Sequence, residues 1–171
     1  MGSLAGGVSL VSFIAHKGEV FIASAYGRGG VLLQVEENAG QWSVTELWRT
    51  NRASMRCKVS SPVEHCGYGY GLDDGNLECI DLSDGRRIWK DERTPEEGGA
   101  FGQGQILLYN DFIIALTHYG EIVLVEATPD GYHELGRMKV LKGEKTWSNP
   151  AIVDGRLYVR NHLEMACIDL R

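Results

Sequence analysis

Proline is scarce in this chain, its cysteines follow no metal or redox spacing, and positive charge is outnumbered. Four prolines in 171 residues exclude collagen-like and Pro-rich linker classes. The four cysteines, Cys57, Cys66, Cys79 and Cys167, contain no CxxC pair, which removes zinc-ribbon and thioredoxin-type readings. They read as small buried thiols in strands; a Cys57–Cys66 bridge across a hairpin is the alternative. With 17 Lys and Arg against 23 Asp and Glu the net charge is -6. A nucleic-acid partner is not expected, because phosphate neutralisation needs a basic face. No apolar run approaches the ~18 residues of a membrane span. The longest candidate, 106–116, is broken by Asn110-Asp111. The first fifteen residues are apolar but lack a basic start, so no secretion signal is recognised.

Chemical motifs are also few. The five histidines form no HxH or HxxxH pair. His118 and His162 fall at equivalent loop positions, where a metal is conceivable, but solvated loop histidines are the default. Asp73-Asp74-Gly75 opens like a calcium loop but lacks a Glu at its twelfth position, so it reads as a turn. Gly102-Gln103-Gly104 precedes a strand and not a helix, which rejects a dinucleotide fingerprint. No Gly-x-Ser-x-Gly elbow is present.

Glycine is abundant, with 22 residues, and it punctuates short runs rich in Val, Ile, Leu, Tyr and Phe. That pattern predicts strands and tight turns. The stretch Cys79–Trp89 shows the unit most clearly. A strand, Leu77 to Leu82, breaks at Ser83-Asp84-Gly85, where Asp-Gly suits a tight hairpin turn. A second strand, Arg86 to Lys90, follows and carries Trp89.

The unit recurs. Gly75 begins a strand 45 residues after Gly30 and 45 before Gly120 (75 − 30 and 120 − 75). Cys167 and Asp169 follow Cys79 and Asp81 by 88, as Pro150 follows Pro62 and Tyr158 follows Tyr70. A period near 45 falls in the range of four-stranded propeller blades. First strands are predicted at Val8–Ala15, Lys58–Glu64, Gln105–Tyr109 and Asn149–Val153. Second strands are predicted at Val20–Ala25, Tyr68–Leu72, Phe112–Thr117 and Arg156–Arg160. Third strands follow the glycine anchors, with Met165–Leu170 as the last. Outer strands are predicted at Val44–Arg49, Arg86–Lys90 and His133–Lys139, and the chain ends before a fourth. Residues 91–99 read as a solvated connection with room for one helical turn. The expectation is an all-β, four-stranded antiparallel blade architecture in one domain, with repeats at 8–50, 58–93, 103–140 and 147–171.

At the spacing of Cys79, Asp81, Gly85, Arg86 and Trp89, the chain resembles the repeat signature Ala-x-Asp-x-x-x-Gly-Lys-x-x-Trp of quinoprotein-like β-propellers, the PQQ-repeat family. Cys for Ala and Arg for Lys are the departures. The resemblance implies a β-propeller of about four blades, half of a seven- or eight-bladed ring, similar to a C-terminal portion of such proteins. It implies that Trp89 docks on the neighbouring blade. Family dehydrogenases bind pyrroloquinoline quinone and Ca²⁺, but their adjacent cysteines are absent and their ligand segments match no stretch here. No cofactor, metal site or catalytic residue is therefore expected. The reading is a non-catalytic scaffold or protein-interaction module; the alternative is part of a pyrroloquinoline-quinone-dependent dehydrogenase. The resemblance suggests an extracytoplasmic or periplasmic setting.

Partners are expected to be a protein or a second copy that enlarges the ring. Second-to-third loops and blade connections emerge on one face of such blades. That face would collect Tyr26, Arg28, Asp73, His118, Tyr119, Trp147 and His162, with Arg56, Phe101 and Asn161 nearby. Aromatic and Arg side chains dominate interfaces, although for Phe101 and Trp147 packing between blades is the favoured reading.

Overall fold

The computed structural model describes residues 12–16, 18–25, 27–94, 100–143 and 145–171, with the backbone alone for 12–16. All its regular structure is β. Among the described residues fifteen strands form four antiparallel meanders in chain order. Sheet I holds β1 (Ser12–His16), β2 (Glu19–Ser24), β3 (Gly29–Asn38) and β4 (Gln41–Arg49). Sheet II holds β5 (Val63–His65), β6 (Tyr68–Asp73), β7 (Asn76–Asp81) and β8 (Arg87–Lys90). Sheet III holds β9 (Gln105–Tyr109), β10 (Phe112–Leu116), β11 (Glu121–Glu126) and β12 (Glu134–Lys139). Sheet IV has three strands, β13 (Ala151–Val153), β14 (Arg156–Arg160) and β15 (Met165–Asp169). No helix among the described residues is long and apolar enough to cross a membrane.

Side chains alternate across each strand, so every sheet has two faces. Three apolar clusters fill the gaps between consecutive sheets. Phe21, Ala23 and Leu32 of sheet I meet Ile80 of sheet II. Tyr70, Leu77 and Cys79 of sheet II meet Ile113, Ala115, Val123 and Val125 of sheet III. Ile114, Leu116 and Ile122 of sheet III meet Leu157 and Val159 of sheet IV. Sheets II and III thus each give one face to the sheet before and the other to the sheet after.

The Cys79–Trp89 stretch is built differently from a two-residue turn. Strand β7 ends at Asp81 and β8 begins at Arg87, leaving a five-residue loop. Asp81 organises it: its Oδ1 accepts from Ser83 N at 2.8 Å and Ser83 Oγ at 2.6 Å. Its backbone oxygen accepts from Gly85 N at 2.8 Å. Only Gly85 of the Asp-Gly pair has a positive φ, 75°. The glycine is required for a second reason. A Cβ there would sit 2.5 Å from the Trp48 ring. Trp48 of sheet I lies on this loop and donates Nε1–H to Leu82 O at 3.0 Å. Trp89 repeats the arrangement one sheet on, donating to Thr128 O at 2.9 Å and meeting Tyr132 edge-on. Gly136 holds the corresponding place in β12, and among the described residues none beyond its chain neighbours comes within 4 Å of where its Cβ would be.

Several predicted strands are trimmed. Strand β5 covers Val63–His65 and not 58–64, and β13 covers Ala151–Val153 and not 149–153. Each begins one residue after a proline, Pro62 or Pro150, which has no N–H for a ladder. Upstream, the backbone N–H groups of Met55 and Arg56 are already engaged by the Glu78 and Asp73 carboxylates. The predicted start of β1 at Val8 and the possible helical turn over 95–99 lie outside the described residues. Cys57 and Cys66 are not bridged; all four thiols are free, with Cys57 and Cys79 buried and Cys66 and Cys167 exposed.

Candidate functional site

The loops joining second to third strands and the segments joining one sheet to the next lie together. Phe101 N, in the segment entering sheet III, donates to Gly75 O in the β6–β7 turn at 2.6 Å. His118 N, in the β10–β11 turn, donates to Phe101 O at 2.8 Å, and Thr146 N donates to His118 O at 3.1 Å. Each turn is thereby stitched to the segment beside it. Gln105, the first residue of β9 and only 3 % exposed, extends the stitching. Its amide donates to Val59 O at 3.0 Å and to Trp147 O at 3.2 Å. One side chain of sheet III thus ties down the entries to sheets II and IV. A polar residue opening an otherwise apolar strand was the available sequence signal for Gln105, and it was not read.

On this framework His118, Tyr119 and Trp147 form one surface cluster. Trp147 donates its indole N–H to His118 Nδ1 at 2.8 Å. In the neutral ring the imidazole proton then sits on Nε2, the other nitrogen. The His118 ring stands edge-on to Tyr119 at 5.3 Å and tilted against Trp147 at 5.9 Å. Trp147 stays 51 % exposed and Tyr119 36 % exposed. A large amphipathic surface is held in a single geometry rather than buried. Lys139 Nζ donates to Tyr119 O, placing a cation at the rim.

The other expected face residues go elsewhere. Asp73 is fully buried and so does not belong to an exposed face. Its carboxylate accepts from Arg56 N at 2.9 Å, Arg56 Nε at 2.8 Å and Lys90 Nζ at 2.6 Å. Burial alone would raise the Asp73 pKa, but these hydrogen bonds outweigh it and hold it down at about 2. Arg56 is thereby committed to an internal ion pair. Beside it lies Glu78, also fully buried, which accepts from Ser54 Oγ and lies 3.1 Å from Arg87 Nε. Burial pushes the Glu78 carboxyl up despite these partners. Both carboxylates anchor the segment between sheets I and II.

Phe101 is 1 % exposed and belongs to the core between sheets II and III. Asn161 is also buried, its amide donating to Lys142 O at 2.7 Å and its oxygen capping Leu163 N and Glu164 N. Arg28 and His162 are exposed in the β2–β3 and β14–β15 turns. Tyr26 lies outside the described residues. His118 and His162 join no group of three or more ligating side chains among the described residues.

A shallow groove beside the cluster is lined by Arg56, Lys58, Ser60, Asp74, Gly102 and Gln103 and has no internal space that would hold even a water molecule. Lys58 bonds Asp74 at 2.5 Å across it. Small-molecule sites occupy roughly 300–1,000 Å³, so this space is narrow and its charges are mutually engaged.

No family model and no curated protein matches the chain. Solved structures do, at the level of fold. The chain is similar to the computationally designed Ika4 protein, with TM-score 0.62, 13 % identity and all of both chains covered. It is similar to AztD from Citrobacter koseri, with TM-score 0.58 and 12 % identity over 93 % of this chain and 43 % of that one. It is similar to BamB from Moraxella catarrhalis, with TM-score 0.53 and 14 % identity over 86 % of this chain and 39 % of that one. The chain therefore spans about two fifths of the length of BamB and AztD. The four stacked antiparallel sheets and these likenesses together show a β-propeller type of fold.

Proposed function

We propose that this chain is a non-catalytic interaction module of the quinoprotein-like propeller kind, one domain that takes a protein partner on its loop face. The observation that carries the reading is Trp147: half exposed, yet fixed by its hydrogen bond to His118. Rigid aromatic side chains with a polar handle give large contact area at low entropy cost, which suits binding more than stability. The partner surface is an extended, apolar-containing protein segment that can lie across Trp147 and Tyr119. The spacing of Cys79, Asp81, Gly85 and Trp89 supports the family resemblance.

A phage-displayed peptide library panned on the folded chain tests this. Selected peptides are expected to bind the wild-type chain and lose roughly 30-fold affinity on Trp147→Ala, the scale of an aromatic hot spot. Far-UV circular dichroism checks that the variant is folded. Peptides that bind both forms equally would refute the loop face.

A second reading is self-association into a larger ring. It is favoured by apolar exposure on the two end sheets, where Trp42 is 73 % and Met165 69 % exposed.

A further inference from the structure

We infer that two copies of this chain pair head to tail, sheet IV of each seated on sheet I of the other. The inference rests on the ring reading and is independent of the loop face. The junction between sheets II and III supplies the pattern. Sheet II offers Tyr70, Leu77 and Cys79, all 0 % exposed beneath sheet III. Sheet III answers with Ala115, Val123 and Val125, at 1 %, 0 % and 0 %.

Sheet IV repeats the offering side. An 88-residue shift carries Tyr70, Leu77 and Cys79 onto Tyr158, Met165 and Cys167. The pairing agrees: Tyr158 faces Cys167 across the ladder as Tyr70 faces Cys79. In sheet IV these residues are uncovered: Met165 is 69 % exposed, Cys167 is exposed and Tyr158 is half-buried.

Sheet I repeats the answering side. Leu33 and Val35 lie 90 residues before Val123 and Val125. Val20 pairs with Leu33 as Ala115 pairs with Val123. These three are only half-buried in sheet I. Val44, paired with Val35 and on the same face, is 61 % exposed. No cluster of buried apolar residues joins sheets I and IV within the chain among the described residues.

The chain therefore carries both halves of a junction that it already forms internally, one on each end sheet. The occupant that fits either face is the other face, which a second copy provides. A two-fold pair satisfies both junctions at once and closes, whereas a single uncovered face would leave an open chain of copies. BamB and AztD share the fold at more than twice the matched length. A second copy would supply comparable length.

Light scattering on the eluting 171-residue chain at increasing concentration, with thiol labelling mapped by mass spectrometry, tests the inference. The expected mass is twice that of one chain. Labelling of Cys167 is expected to slow roughly ten-fold as pairs form, by mass action, with exposed Cys66 as the internal reference. Cys167→Glu and Met165→Lys, at positions exposed in the single chain, are expected to give monomers with unchanged circular dichroism. A monomer at every concentration would overturn both the ring reading and this interface. A pair in which Cys167 labels as fast as before and neither variant changes the mass would overturn this interface alone. A ladder of masses beyond two would overturn the closed pair.

Discussion

Gly85→Ala is expected to be among the more damaging single-methyl additions in this chain, for two separable reasons. Gly85 has φ 75°, where an L side chain costs about 1–2 kcal/mol. The new Cβ would also lie 2.5 Å and 2.6 Å from Trp48 Cε3 and Cζ3, far inside contact distance. Trp48 sits between sheets I and II, with Phe21 at 5.6 Å between ring centroids and Leu82 O as its acceptor. Turning that half-buried indole away forfeits roughly 50–100 Å² of apolar contact at ~25 cal/mol per Å², and a hydrogen bond near 1 kcal/mol. The two effects sum to about 3–5 kcal/mol. Trp48→Ala removes the obstacle, so in that background Gly85→Ala is expected to cost only the backbone strain, about 1–2 kcal/mol. The coupling of about 2–3 kcal/mol lies within the range seen for residues in contact. Guanidinium melts followed by far-UV circular dichroism, at one protein concentration, measure all four corners of the cycle. Additivity within about 0.5 kcal/mol would refute the claim that Gly85 is needed as the seat of Trp48.

Two further predictions concern charge and thiols. Asp73 is held at about 2 by Arg56 and Lys90 against the effect of its burial. Glu134 is held at about 2 by Arg137, Tyr132 and Arg93, again against burial. Both folded values lie below the unfolded ones, so their stabilisation is present above about pH 4.5 and is lost as pH falls toward 2, about 2 kcal/mol for Asp73 and about 3 kcal/mol for Glu134. Glu78 has the opposite sign, since its raised carboxyl favours the fold once protonated, and it offsets part of the loss. Urea midpoints from pH 7 to pH 2 check this; Asp73→Asn must flatten the profile, and an unchanged slope would defeat the assignment. Burial pushes the Cys57 and Cys79 thiols up to about 12. Iodoacetamide at mildly alkaline pH is expected to spare both in the folded chain while Cys66 reacts. Rapid native alkylation of Cys57 would show that the segment between sheets I and II is open.

Much of the fold was legible because strand residues announce themselves locally. The strands at Gln105–Tyr109 and Arg156–Arg160 coincide with their predicted limits, since each is an apolar run closed by turn residues. The glycine anchors near a 45-residue spacing located third strands because Gly75 and Gly120 turn the chain at positive φ, while Gly30 lies just inside β3, where a Cβ would meet the Phe21 ring at 2.5 Å. Less was legible where backbone partners come from afar. The segment over 58–61 reads as strand by composition, yet its neighbours Met55 and Arg56 give their N–H groups to Glu78 and Asp73. Loop position and residue type together picked out His118, Tyr119 and Trp147 but equally picked Asp73. Sequence cannot separate an acid that meets solvent from one enclosed by Arg56 and Lys90, because that depends on what packs above it.

The sequence by itself determined the unit: which segments extend, where the chain turns, and that one pattern repeats. Those are consequences of local sterics, alternation and φ preference. Only the tertiary structure decided which face of each strand is covered. Tyr70 and Cys79 are 0 % exposed, while the same residue types in the same register, Tyr158 and Cys167, remain uncovered. Burial belongs to the neighbouring sheet and not to the residue, and so it could be read only after the sheets were stacked.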